Sequence, residues 1–138
     1  MKLGWFVLPV VCVSLICLAQ DEQATSRSKA GLVGRGRYLT HDVAMCVECH
    51  SPRDENGNLI HTELFRGAIM PIKSPFSGQD WAVRAPNIAG LTGFTDEQTV
   101  TLLTRGQAVG RKKPLPPMPS FRMTREDAEA VLAYLRTL

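Results

Sequence analysis

The chain is short of net charge and of usable cysteine, and both shortages narrow what it does. Sixteen Lys and Arg against 13 Asp and Glu in 138 residues leave a formal +3, too small a basic excess for a chain built to coat nucleic acid. No nucleic-acid partner is expected. The composition also lacks the marks of disorder or of a collagen repeat: 44% of residues are hydrophobic and 21% charged, values that suit one folded domain. Of the four cysteines, Cys12 and Cys17 lie in an apolar N-terminal run, which leaves Cys46 and Cys49 for the rest of the chain.

That run reads as an address. Met1 and Lys2 give a short positive start, Leu3 to Ala19 are apolar, and Cys17-Leu18-Ala19 supplies small residues at the −3 and −1 positions of a cleavage site. Cleavage is expected after Ala19, which makes residues 1–19 a signal peptide and the mature chain periplasmic or secreted. One competing reading is an uncleaved anchor, for which a stretch interrupted by Pro9 is short. The other is a lipoprotein, for which Ile16 before Cys17 and Val11 before Cys12 are poor neighbours. Membrane association is expected only in those two cases. After cleavage, Cys46 and Cys49 make a weak disulfide framework, because a bridge across three positions closes almost no loop. The two thiols need another use.

Residues 20–29 are polar and aperiodic, so they read as a flexible leader to a domain over 30–138. From Ala30 to Cys46 the spacing of Leu32, Val33, Leu39, Val43 and Met45 predicts a helix. Gly31, Gly34 and Gly36 each cost it up to about 1 kcal/mol against Ala, which suggests a close helix crossing. Residues 51–86 hold no sustained period. Asn56-Gly57 is a turn signal there, and the pieces Ala68-Ile69-Met70-Pro71 and Trp81-Ala82-Val83 are expected to pair as a hairpin. A second helix should start at Thr95, with Gln98 completing a capping box, and stop at Gly106. Residues 107–123 form a basic loop in which Pro114, Pro116, Pro117 and Pro119 exclude helix and central strand.

The last helix carries the clearest signal. Thr124 caps it, Asp127 sits at the capping-box position, Met123 can staple onto Ala128, and Ala128, Val131, Leu132 and Leu135 follow helical spacing. Glu126 and Asp127 at its start and Arg136 at its end suit the helix dipole. Three helices and long Gly/Pro-rich loops are little regular structure for such a domain. Something other than helix packing must fill its core.

Cys46-Val47-Glu48-Cys49-His50 is the C-x-x-C-H pattern of covalent c-type haem attachment. Two thiols so spaced at a helix end can add to the two vinyl groups on one porphyrin edge, and the next residue then presents an imidazole to the iron. A thioredoxin-like redox pair would need a strand before Cys46, and none is predicted. A zinc site built from Cys46, Cys49, His50 and His61 or His41 lacks a second regular ligand pair.

On these residues the chain resembles the class I cytochromes c over roughly residues 30–138. Its parts run in family order: Gly36-Arg37-Tyr38-Leu39, Cys46 to His50, Pro86-Asn87-Ile88-Ala89-Gly90-Leu91, a middle helix, a Met-bearing loop, and Leu132-Ala133-Tyr134-Leu135. The resemblance implies an all-α cytochrome c fold of three main helices with long loops around one haem c attached through Cys46 and Cys49, with the short β-hairpin in the insertion before Pro86. It implies that His50 is the proximal ligand and that the Pro86 carbonyl accepts from the other ring nitrogen of His50. Gly36 and Tyr134 match the family's pair at the crossing of the first and last helices. The sixth ligand comes from Met45, Met70, Met118 or Met123. Met118, in Pro116-Pro117-Met118-Pro119, stands where the family places its ligand loop, with Met70 as the alternative.

The stretch between His50 and Pro86 is longer than in compact family members. In this, and in Trp81, Asn87-Ile88 and Thr124-x-Glu126-Asp127, the chain is similar to the small cytochrome domains that serve periplasmic alcohol and sugar dehydrogenases. Trp81 and Arg84 are candidate partners for the haem propionates. The function implied is electron transfer and not enzymatic catalysis, since an iron held by His and Met has no open position and thioether ligation with burial favours the reduced state. The implied partners are redox proteins, a dehydrogenase, oxidase or reductase. Arg105, Arg111, Lys112, Lys113, Arg122 and Arg125, which flank the Met loop, suit an acidic one. The alternatives are a haem enzyme or gas sensor with a labile Met118, and a fixed electron-transfer subunit of a dehydrogenase complex.

Overall fold

The computed structural model describes residues 28–138. The signal peptide expected over 1–19 and most of the expected leader lie outside the described residues; positions 28 and 29, expected in the leader, are already helical. The chain divides into two units, Met1–Gly31 and Leu32–Leu138. Of the first, only the helical residues 28–31 are described. No helix among the described residues is long and apolar enough to cross a membrane.

The first helix, α1, is helical over 28–38 and widens into a π turn at Leu39–Val43. The sequence predicts one helix running on to Cys46; instead Met45 takes a left-handed backbone (φ 51°) and starts a separate short helix, α2, at Cys46–His50. Such a conformation is uncommon away from glycine. It re-aims the chain at the place where the two thiols begin. Leu39 is buried and Val33 packs on the core, whereas Leu32, Val43 and Met45 are exposed.

Helix α3, Asp96–Arg105, has the predicted ends: Thr95 Oγ1 accepts from Gln98 N, the Gln98 side chain closes the capping box, and Gly106 ends the helix at φ 65°. Helix α4, Arg125–Leu135, is capped by Thr124 Oγ1, which accepts from Asp127 N at 3.1 Å. The Asp127 carboxylate does not complete the expected box, because it accepts from Arg35 Nε of α1 at 2.9 Å. Arg136, just past α4, donates to the carbonyls of Gly90 and Phe94, both at 2.8 Å, and pairs with Asp96. The end of α4 is thus tied to the start of α3.

Where α1 crosses α4, a Cβ on Gly36 would lie 1.9 Å from the Ala130 carbonyl oxygen and 2.7 Å from Tyr134 Cβ. The predicted close crossing therefore rests on Gly36 alone, since a Cβ on Gly31 or Gly34 would meet nothing within 4 Å. The core gathers Leu39, Val47, Phe65, Leu91, Val100, Leu103, Val131 and Leu135, with Met123 packed against it.

The insertion contains the expected hairpin in a different register. Strand β1, Ala68–Ile69, pairs antiparallel with β2, Arg84–Ala85, as Ala68↔Ala85 and Ile69↔Arg84. Met70 N continues the ladder by donating to Val83 O at 3.1 Å. Trp81 and Ala82 therefore belong to the connection.

Candidate functional site

Helix α2 delivers three functional groups to one place. Its short length and the left-handed Met45 bring Cys46, Cys49 and His50 to the wall of a cavity of about 970 Å³, at the upper end of the range for cofactor sites, about 300–1,000 Å³. Leu91, Leu102, Leu103, Val131 and Leu135 from the core side also line it, and the loop after α3 adds Leu115 and Met118. This is the space that helix packing leaves unfilled.

Both thiols are free. Burial pushes the Cys46 thiol up to about 11, so it stands as neutral S–H, the form that can add across a vinyl group. His50 is buried, and its Nδ1 lies 2.8 Å from the Pro86 carbonyl oxygen. That carbonyl can only accept, so Nδ1 carries the proton and Nε2 is left with a lone pair. Burial also lowers the His50 pKa, opposed by the bond to Pro86. The neutral imidazole this favours is the state in which Nε2 can bind a metal.

Met118 and Met70 both line the cavity. Met118 N donates to Leu115 O at 3.2 Å, and the neighbouring Pro116 carbonyl accepts from Ala82 N at 2.7 Å, so the insertion braces the Met118 loop. Met45 also reaches the wall but is largely exposed. Trp81 and Arg84 line the cavity as well. The Trp81 indole N–H, however, is spent on the Ile72 carbonyl at 3.0 Å, which removes it as a propionate donor in this arrangement and leaves Arg84 as the candidate.

The zinc reading does not assemble. His41 Nε2 meets the Tyr134 hydroxyl at 2.9 Å, its ring is packed edge-on against Phe65 and Tyr134, and His61 is exposed in a separate turn at His61–Glu63. Among the described residues, no group of three or more His, Cys, Asp or Glu side chains is placed to hold a metal ion.

The sequence reading missed the support behind Pro86. Phe65 is wholly buried; its N–H donates to Ser51 Oγ at 2.9 Å, and its carbonyl accepts from Ile88 N at 2.8 Å and Ala89 N at 3.1 Å. The available signal was that Phe65 is the only Phe, Tyr or Trp between His50 and Gly67.

The family model for Cytochrome c matches residues 34–138. The chain belongs to the cytochrome c family. No curated protein matches it closely enough to add a relative. Cytochromes c hold haem c covalently, and here Cys46 and Cys49 have the spacing for it. The cavity fits that group in three respects: an apolar volume of cofactor size, two free thiols on its wall, and an imidazole with its proton held on the far nitrogen. The activity of the cytochrome c domain is haem-based electron transfer.

Proposed function

We propose that this cytochrome is a periplasmic or secreted single-electron carrier in which His50 and Met118 hold the haem iron from opposite sides. The reading rests on one observation: Cys46, Cys49, His50 and Met118 all line one largely apolar cavity. When bound, haem c supplies the ferric/ferrous couple. The protein's part is to hold that couple still and to bias it. Cys46 and Cys49 fix the group covalently, Pro86 orients His50, and the apolar wall with a thioether ligand favours the less charged, reduced state.

Met118 is preferred to Met70 on the layout of the chain. The hairpin that carries Met70 runs through Arg84–Ala85 directly into Pro86, the residue bonded to His50. Met118 arrives on a separate loop between α3 and α4, framed by prolines that limit its freedom before ligation. Replacing Met118 by Ala should abolish the far-red band of a thioether on ferric haem, lower the reduction potential and open a site for carbon monoxide. Met70→Ala should leave all three nearly unchanged. The reverse pattern would move the ligand into the insertion.

The proposed partners are redox proteins with an acidic docking face. Not all of the basic side chains near the loop are available to them. Arg111 lies 4.0 Å above the Phe94 ring and donates to Gly93 O at 2.7 Å, Arg122 bonds the Phe121 carbonyl, and Arg125 pairs with Glu129 and Glu97. Lys112 and Lys113 are exposed at the cavity rim. They carry the docking proposal.

A further inference from the structure

The register of the hairpin, continued back from Ala68↔Ala85, sets Gly67 opposite Pro86. A Cβ on Gly67 would lie 2.8 Å from Ala85 O, 2.8 Å from Asn87 N and 2.9 Å from Pro86 C, all backbone atoms with no flexible end to swing away. The backbone of Gly67 is left-handed (φ +87°), a region that disfavours any side chain. Its N–H donates to the His50 carbonyl at 2.7 Å. One glycine therefore touches the main chain of His50 on one side and the peptide that bonds the His50 ring on the other.

We propose that Gly67 is a positioning residue for His50: the insertion uses it to seat the Pro86 carbonyl against Nδ1. The neighbouring bonds serve the same end. Ser51 Oγ accepts from Phe65 N, and Phe65 O accepts from Ile88 N and Ala89 N, so residues 51–67 grip the Pro86 segment just beyond the point where Gly67 lets it approach. Proline has no N–H to give and glycine no Cβ to interpose, so the two strands close at this pair through shape alone. The long insertion is thus a brace for the proximal imidazole as well as a decoration on the fold.

This inference rests on His50 being the proximal ligand. A hydrogen bond from Nδ1 raises the basicity of a ligating imidazole, which favours ferric iron. Loosening it should raise the reduction potential. The test compares the haem-loaded protein with Gly67→Ala and with the milder Ser51→Ala, which removes the hydroxyl holding Phe65.

In both variants the covalent haem and the methionine band should persist, the potential should rise, and the Nδ1 proton of His50 should exchange with solvent faster, more so for Gly67→Ala. If Gly67→Ala does not fold, Ser51→Ala decides by the same two readouts. Variants that lose thermal stability yet keep the original potential and exchange rate would make Gly67 and Ser51 ordinary packing residues and overturn the proposal. The failure of the ligation reading itself looks different: the unmodified ferric protein would then lack the shifted nuclear resonances of a bound imidazole and methionine methyl.

Discussion

At the residue scale, single atoms that are present or absent decide how closely the elements pack. Gly36 and Gly34 sit two residues apart in α1, yet the first faces a backbone carbonyl and the second open space. Gly36→Ala should destabilise the protein by at least the cost of overpacking, about 1–3 kcal/mol. Gly34→Ala should stabilise it by up to about 1 kcal/mol through helix propensity. Denaturant midpoints of the two variants, shifted in opposite directions, check this. His41 makes a second residue-level prediction. Burial, helped by Arg37 and opposed by Asp42, holds its pKa below the ordinary 6.5. Below that pH the unfolded chain takes up the proton before the folded one does, so this contribution to stability is lost as the pH falls from 6.5 toward the folded value. His41→Gln, which keeps a side-chain hydrogen-bonding group for the Tyr134 hydroxyl, should flatten that part of the acid limb in a series of denaturation midpoints.

At the element scale, what was legible in the sequence was what is decided locally. Both ends of α3 and the start of α4 read correctly because a cap joins residues three or four apart. Thr95→Ala should accordingly cost about 1 kcal/mol. The Arg35–Asp127 pair, which spans exposed surface, should contribute little in a double-mutant cycle, because solvent screens it. The second side chain of the α4 box went unread because its partner, Arg35, lies on another helix, and no spacing rule links the two. The same cause shifted the hairpin: its register is fixed by Phe65 and Gly67 against residues 85–89, contacts that alternation along either strand does not encode. The break at Met45 was hidden too, since its left-handed backbone sits at a residue with no propensity for one. The Pro86 bond to His50 and the Gly36–Tyr134 crossing were readable from motifs in order, and the structure brings both pairs together.

At the scale of the whole molecule, a modest net charge leaves electrostatic steering to local patches. Reversing the charge of Lys112 and Lys113 should slow electron transfer to an acidic partner through association, and should flatten its dependence on ionic strength. The visible spectrum should not change, because neither side chain holds the haem. Stopped-flow rates measured across a salt series would show it, and an unchanged slope would remove these lysines from the docking face. The fold as a whole is explained by its cavity: helices α2, α3 and α4 with their loops line a space whose apolar wall leaves a cofactor to complete the core. The most direct test of that claim is to denature the purified protein, extract it with acidified acetone and record the mass and visible spectrum of the chain. The account predicts that one haem per chain stays attached, and that it is lost when Cys46 and Cys49 are both replaced by Ala. A bare chain of unmodified mass, still folded and stable before extraction, would contradict it.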